Sequence, residues 1–380
     1  MGADVMKLIH IADLHLGKML KLYNLLQLQK ECLIQIEEAM RQDDIDGLII
    51  AGDVYDRAIP PQEAVNLLNA FLSTIINDLH KKVYMISGNH DSSDRLNFAS
   101  SILEASGLFI ETHLQEQIVY HEEDDVRIYM LPFIRPIDIR RLYPECPHTN
   151  YNDAFAYYLS KQQPLDHNYR NILITHQFVG FHALTSESEQ SLSVGNVEVI
   201  DPGLFEDFDY VALGHLHAPQ YVHQEKIRYS GSLLKYSFDE VKQKKGYVII
   251  DTKDMSFELV PFKNSQDVVI LKDSFENLND PTCYQDYRND LIAIELTDTS
   301  IIPHAIEQLR LLFPHVLQLT YPALMGQEVN DIHHMDKIRH TSLVELYEDF
   351  YQQSTGTTLD EASLKIIGEL LEGGEIDEAS

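Results

Sequence analysis

Lys7-Leu-Ile-His-Ile-Ala-Asp-Leu-His15 sets the pattern from which the fold of this chain is read. An apolar run of β-type residues ends at Ala12, and a polar motif, Asp13-Leu-His15, follows at once. The same hand-over recurs at Ala51 into Gly52-Asp53-Val-Tyr-Asp56, and at Ser87 into Gly88-Asn89-His90-Asp91. It recurs again at Thr175 into His176, and at Leu213 into Gly214-His215-Leu-His217. Short apolar runs bounded by turn residues predict buried strands. Between the first two runs, Leu25, Leu28, Cys32, Ile36 and Ala39 fall on one helical face. Between the next two, Val65, Leu68, Leu72, Ile75 and Leu79 repeat that spacing of three and four. Alternating strand and helix predict an α/β core with ligands gathered at the carboxyl ends of the strands.

The chain holds 380 residues, more than one core commonly serves, so two or three domains are expected. Residues 1–265 carry every motif and form the first. Runs at 225–230 and 246–252 are expected to be antiparallel strands that close it. The stretch 178–199 has clusters of Ser and Glu and reads as a long surface loop; following His176, it is placed to touch substrate. A second unit, 266–335, has a strand at 291–296, a helix over 303–313 and a strand at 316–320, the pattern of a small α+β cap. The third, 336–380, has capping boxes at Ser342 with Glu345 and at Thr358 with Glu361, then an acidic tail. Two such short amphipathic helices are marginal alone. Packing on their own cap is the plainer reading, and docking on a partner the sharper one.

An apolar share of 44% and a charged share of 23% are those of an ordinary soluble protein. No apolar run reaches the ~20 residues of a membrane span. The basic-then-apolar plan of a signal peptide is absent before Lys7. Cys32, Cys146 and Cys283 match no zinc spacing and fit a reducing compartment, each as a small buried apolar group, so the cytoplasm is expected. The net charge is −31, from 29 basic and 60 acidic residues. Proteins that grip nucleic acid unaided show a basic face, because phosphate contacts dominate that affinity. A nucleic-acid substrate would therefore call for a partner that supplies much of the grip; acidity serving solubility alone is the plainer reading. Arg135, Arg140, Arg141, Lys242, Lys244 and Lys245 are candidate phosphate contacts.

Carboxylates, one amide oxygen and several imidazoles together suit a pair of divalent transition metals. Two adjacent metals can grip a phosphate and activate water for in-line attack, which points to phosphoester hydrolysis. Asp13 and His15, two apart at a strand end, can face one site. Asp53 can offer one oxygen to each of two metals, and Asn89 adds an oxygen without adding charge. His215 and His217 flank Leu216 and can serve different metals. Any one of these motifs alone is an ordinary turn. Five in this order, each after an apolar run, are not.

The ordered set resembles the calcineurin-like metallophosphoesterases, in which Asp-x-His, Gly-Asp-x-x-Asp, Gly-Asn-His-Asp, His and Gly-His-x-His ligate two metals. The fold this implies is a β-sandwich flanked by helices, here with the small cap and the C-terminal helices added. By the resemblance, one metal takes Asp13, His15, Asp53 and His217, and the other takes Asp53, Asn89, His176 and His215. His90 matches the position that protonates the leaving oxygen or stabilises the transition state, and Asp56 the partner that orients it. Tyr210-Val-Ala-Leu-Gly-His-Leu-His-Ala-Pro-Gln220, Ser193-Val-Gly-Asn-Val-Glu-Val-Ile-Asp201 and Glu348-Asp-Phe-Tyr351 are similar to the DNA-cutting branch of that family. That branch implies a manganese-dependent exonuclease on duplex DNA that also opens hairpins, in DNA repair and recombination. It implies an ATPase partner with a long coiled coil, docked by the tail helices, and a homodimer through the nuclease domain. A phosphodiesterase or phosphatase acting on a non-DNA ester is the alternative, and a degenerate scaffold is the non-enzymatic one.

Overall fold

The computed structural model describes residues 6–42, 44–180, 183–189 and 198–324. The five runs that end at the polar motifs are all strands: β1 (Lys7–Ile11), β2 (Gly47–Ala51), β3 (Lys82–Ile86), β4 (Arg170–His176) and β5 (Tyr210–Gly214). They divide between two six-stranded sheets. In the first, β1, β2 and β3 lie side by side and parallel, flanked by Gly246–Asp251 and Ser256–Pro261 on one side and Leu108–Glu111 on the other. In the second, β4 and β5 are parallel neighbours in register, with Gly214 opposite His176. Parallel strands covered on both faces need continuous apolar runs rather than alternation. All five residues of β2 and of β5 are accordingly buried.

Successive side chains of a strand point to opposite faces, so each sheet feeds two cores. Leu8 and Ala12 join Ile49, Tyr84 and Ile86 against Ile128, Ile172, Ile174 and Ala212 of the second sheet. Ile9 and Ile11 face the other way, onto helices. There α1 (Leu26–Gln42) buries Leu28, Cys32, Leu33, Ile36 and Met40, the face set by the spacing of three and four. Beside it, α2 (Gln62–Ser73) buries Leu68 and Phe71 and runs on into a wider turn over Thr74–Asp78 that buries Ile75. The outer face of the second sheet packs Leu173, Val211 and Leu213 on Phe155, Tyr158 and Phe205. Helices, sheet, sheet and helices therefore stack as the expected sandwich.

Three details correct the sequence expectation. Gly246–Asp251 is antiparallel to β1, as expected, but Gln224–Tyr229 lies parallel to β5. The descending run is taken by Gln220–Val222, and a tight turn at His223, with φ at 63°, sends the next strand back up. In the second unit, Leu291–Leu296 and Val316–Thr320 are strands as expected, and Val268–Asp273 pairs parallel with the first of them. The helix expected over 303–313 is regular only at Ala305–Leu309, because His304 takes a left-handed turn before it. Leu271, Ile294, Leu309 and Phe313 give this unit a core of its own. Both C-terminal helices expected at 336–380, and most of 193–201, lie outside the described residues. Cys32 and Cys146 are buried, whereas Cys283 is only half-buried. Among the described residues no helix is long and apolar enough to cross a membrane.

Candidate metal centre

Because β1 to β5 all end on the same edge of the sandwich, their following loops meet there. Backbone bonds stitch the first two loops together: Asp13 N donates to Gly52 O at 3.1 Å and His15 N to Asp53 O at 2.9 Å. His90 N donates to the Asp53 carboxylate at 2.9 Å, adding the third loop. His215 N donates to the Asp13 carboxylate at 2.9 Å and ties the second sheet to the first. Asp91 fastens the floor, accepting from Val54 N, Tyr55 N and Gly88 N at 3.1, 3.0 and 2.9 Å.

Such close approach requires glycine and strained backbone. A Cβ on Gly88 would stand 2.1 Å from Asp53 Oδ1, and one on Gly214 would stand 1.9 Å from Ala51 O. Asp13, His15, Asp53 and His215 all have positive φ, at 51°, 41°, 49° and 108°. Each such non-glycine residue costs roughly 1–3 kcal/mol and persists only where its surroundings over-determine it, a pattern typical of functional sites.

The side chains fall into two neighbouring groups that share Asp53. In one, His15 Nε2 is 3.1 Å from His217 Nε2 and 3.6 Å from Asp53 Oδ2. Asp13, His15 and His217 each place a ligand atom within 4.8 Å of the others. In the second, Asn89 Oδ1 is 3.0 Å from both His176 Nε2 and His215 Nδ1, and His176 Nε2 is 3.4 Å from Asp53 Oδ2. Donors held about 2.1 Å from a common cation stand roughly 3 Å from one another, so these spacings fit divalent metals. All seven residues expected as ligands are thus brought together.

The charge state of three of the four imidazoles fits as well. Burial holds His15, His215 and His217 below the usual imidazole range, His215 near about 3, which leaves lone pairs free for a cation. The Nε2 atoms of His15 and His217 face each other at 3.1 Å, close enough to share one proton or one cation. Burial would also lower His176, but the Asp53 carboxylate beside it wins and holds it at about 9. Asp53 stays ionised well below its usual range: burial works against this, and the neighbouring His176 outweighs it. Burial, with Asp53 adding like charge and His176 opposing, pushes Asp13 well up. A bound cation relieves that repulsion.

Buried partners fix which nitrogen faces inward. His176 Nδ1 donates to Ala51 O at 2.8 Å, leaving Nε2 for the centre. Ser188 donates to the Glu240 carboxylate and so accepts from His217 Nδ1 at 2.6 Å. Glu189 accepts from His217 N at 2.7 Å, and Lys245 pairs with Glu240 at 2.6 Å while donating to His217 O at 2.7 Å. Gln29 donates to the carbonyls of Leu14 and His15 at 3.0 and 2.8 Å. Sequence reasoning missed these partners except for two hints, the loop after His176 and Lys245. The second hint was misread: Lys245 is buried behind His217 and is no phosphate contact.

His90 stands at the rim, its ring edge-on to His15 at 4.8 Å and its Nε2 3.9 Å from Asp53 Oδ2. Asp56 meets it differently from the expectation. The Asp56 main-chain carbonyl, not its carboxylate, takes His90 Nδ1, at 3.1 Å. The carboxylate is drawn instead to Lys18 Nζ at 2.9 Å.

Over residues 6–219 the chain matches the calcineurin-like phosphoesterase family. Residues 264–355 match a second family, described as a type 5 capsule protein repressor C-terminal domain. The chain is 33% identical over 370 residues to the SbcD subunit of the nuclease SbcCD from Staphylococcus epidermidis, covering 96% of this chain and 98% of that relative.

Proposed function

Since this chain belongs to the calcineurin-like phosphoesterases and, among them, to the SbcD nuclease subunits, we propose that it cuts DNA at its buried Asp, Asn and His cluster. It is a metal-dependent phosphodiesterase, acting as a double-strand exonuclease and a hairpin endonuclease in DNA repair, recombination and replication. The observation that carries this reading is the meeting of donors from both sheets at spacings of 3.0, 3.1 and 3.4 Å around one shared carboxylate. In our assignment Asp13, His15, Asp53 and His217 hold one divalent cation, and Asp53, Asn89, His176 and His215 the other. The pair is Mn²⁺, which suits mixed imidazole and oxygen donors. When bound, two such cations neutralise charge on the scissile phosphate and lower the pKa of a water nucleophile.

The chain's own groups do the rest. Asp53 places one negative charge between the two groups, which limits repulsion between neighbouring cations. His90, with Nδ1 donating to the Asp56 carbonyl, turns Nε2 toward the cluster and, as imidazolium, gives the Nε2 proton to the leaving 3′ oxygen. Asp56 is a positioning residue. His90→Ala is expected to bind Mn²⁺ and DNA as before while turnover drops by about 10²–10⁴-fold. Calorimetry, DNA binding and single-turnover cleavage check this, and normal cleavage by the variant removes His90 from the mechanism.

Its partner is an SbcC-like coiled-coil ATPase, docked by 336–380, and its substrates are DNA ends and hairpins. A partner with basic surface answers the acidity of a chain at −31. The nuclease domain, 1–265, forms a homodimer, and 266–335 is the cap; the compartment is the cytoplasm, consistent with three free cysteines. Kinship with a nuclease subunit along nearly the whole chain favours DNA over a non-DNA ester. The test is cleavage of labelled hairpin and blunt duplexes with Mn²⁺, with and without the ATPase. Hydrolysis of small diesters without any DNA cleavage in either condition sinks the reading.

A further inference from the structure

One cleft opens beside the donor cluster without supplying most of its ligands. It measures about 570 Å³ and shares Gly88 and Asn89 with the donor loops, while Phe133, Arg135 and Arg141 line it farther out. A space of that size takes a nucleotide-sized group. Phe133 is fastened at two points. Its N donates to Ser87 O at 3.0 Å, and the carbonyl of the next residue, Ile134, accepts from Gln177 Nε2 at 3.2 Å. These bonds tie the turn to the end of β3 and to the residue after His176. The Phe133 ring stands edge-on to the His176 ring at 6.2 Å, so an aromatic surface lies next to the cluster.

Arg135 and Arg141 share one carboxylate, Asp138, at 3.1 and 3.7 Å, and their side chains are 55% and 73% exposed. Two cations on one anion leave positive charge at this rim of a strongly acidic chain. Asp91, the other acid lining the cleft, is committed to three backbone N–H groups. Guanidinium groups suit phosphate through paired hydrogen bonds. An aromatic face suits a nucleobase of any sequence.

We propose that this cleft is the subsite for one unpaired nucleotide of the strand being cut, its base stacked on Phe133 and its phosphate held by Arg135 and Arg141. This rests on the DNA-nuclease reading and deepens it. A base inside a duplex has both faces covered by its neighbours and must leave the stack to meet Phe133. The subsite therefore selects hairpin loops and frayed ends over sealed ones.

The test uses the full chain with Mn²⁺, alone and with the ATPase. Its substrates are a looped hairpin, a duplex with cross-linked terminal pairs, and bis(p-nitrophenyl) phosphate, which carries neither a nucleobase nor a second phosphate. Phe133→Leu keeps apolar bulk and loses the aromatic face, and Arg135→Gln with Arg141→Gln removes the cations. In each variant the ratio of hairpin to small-diester cleavage is expected to fall about tenfold or more through KM, the size of one lost base stack. Mn²⁺ affinity by calorimetry stays at the wild-type value. Wild type is expected to cut cross-linked ends about tenfold more slowly than hairpins. An unchanged ratio in both variants, or equal cutting of cross-linked ends, overturns the subsite and leaves the nuclease reading standing. A wild-type chain that hydrolyses the small diester but no DNA overturns both.

Discussion

His217 shows how much of the proposed metal site is built behind its donors. Its Nε2 faces the cluster because Nδ1 is held by Ser188 and, through it, by Glu240, whose charge Lys245 balances. Glu240 and Lys245 are nearly inaccessible, and removing one of them leaves the other charge buried and unpaired. Glu240→Ala is therefore expected to weaken binding of the Mn²⁺ nearest His217 by about 10–100-fold, with Glu240→Gln between it and wild type because an acceptor oxygen remains. Titration calorimetry measures this directly, and ¹⁵N spectra of His217 report which ring nitrogen carries the proton. Equal affinities in all three chains would show that Glu240 only fills space. The clustering of the seven proposed ligands was legible in the sequence, since each follows a strand end closely and so reaches the same edge. Glu240 was not, because no spacing rule links a short turn late in the chain to an imidazole on another loop. Asp56 was half legible: the right residue stands beside His90, but through its carbonyl rather than its carboxylate.

Elements carry the site through the common direction of their ends. The apolar runs were readable as strands because strands covered on both faces must be continuously apolar, and α1 and α2 were readable because only one side of each is covered. The direction of Gln224–Tyr229 was not readable, since a strand has the same composition whichever way its neighbour points. Element ends also hold charges that the sequence does not reveal. Glu111 closes the strand Leu108–Glu111, and burial, with Glu104 adding like charge, pushes its carboxyl up to about 7. Its ordinary value in an unfolded chain is about 4.3. Between those values the folded chain keeps a proton that the unfolded chain has released, so stability falls as pH rises through that window and levels off above it. Glu111→Gln should thus melt higher than wild type at pH 8 and gain much less at pH 5. Thermal melts of both chains with a chelator present isolate the effect from metal loading. The same difference at both pH values would mean that Glu111 does not titrate in this window.

At the scale of the whole molecule, several apolar side chains of the described residues stand in solvent, among them Ile59, Phe98 and Ile102 at 73%, 80% and 73% exposed. They follow β2 and β3 in the chain, Ile102 within the short helix Ser100–Leu103. Phe98 also lines a groove with Leu68, Leu72, Leu103 and Ile110, on the face where α2 meets the first sheet. Apolar surface gathered in one place marks an interaction site more often than scattered leucines do. In the proposed homodimer, a two-fold axis could set Phe98 of one copy into the groove of the other and repeat the contact in reverse. Charge argues for a contact of this kind, since two acidic surfaces repel and an apolar patch is where they can meet at least cost. Phe98→Asp should therefore convert a dimer into a monomer at micromolar concentration, read by light scattering after size exclusion. Mn²⁺ affinity should be unchanged, because Phe98 contributes no atom to the donor cluster. A wild-type chain that is already monomeric, or a variant that remains dimeric, rules out this contact.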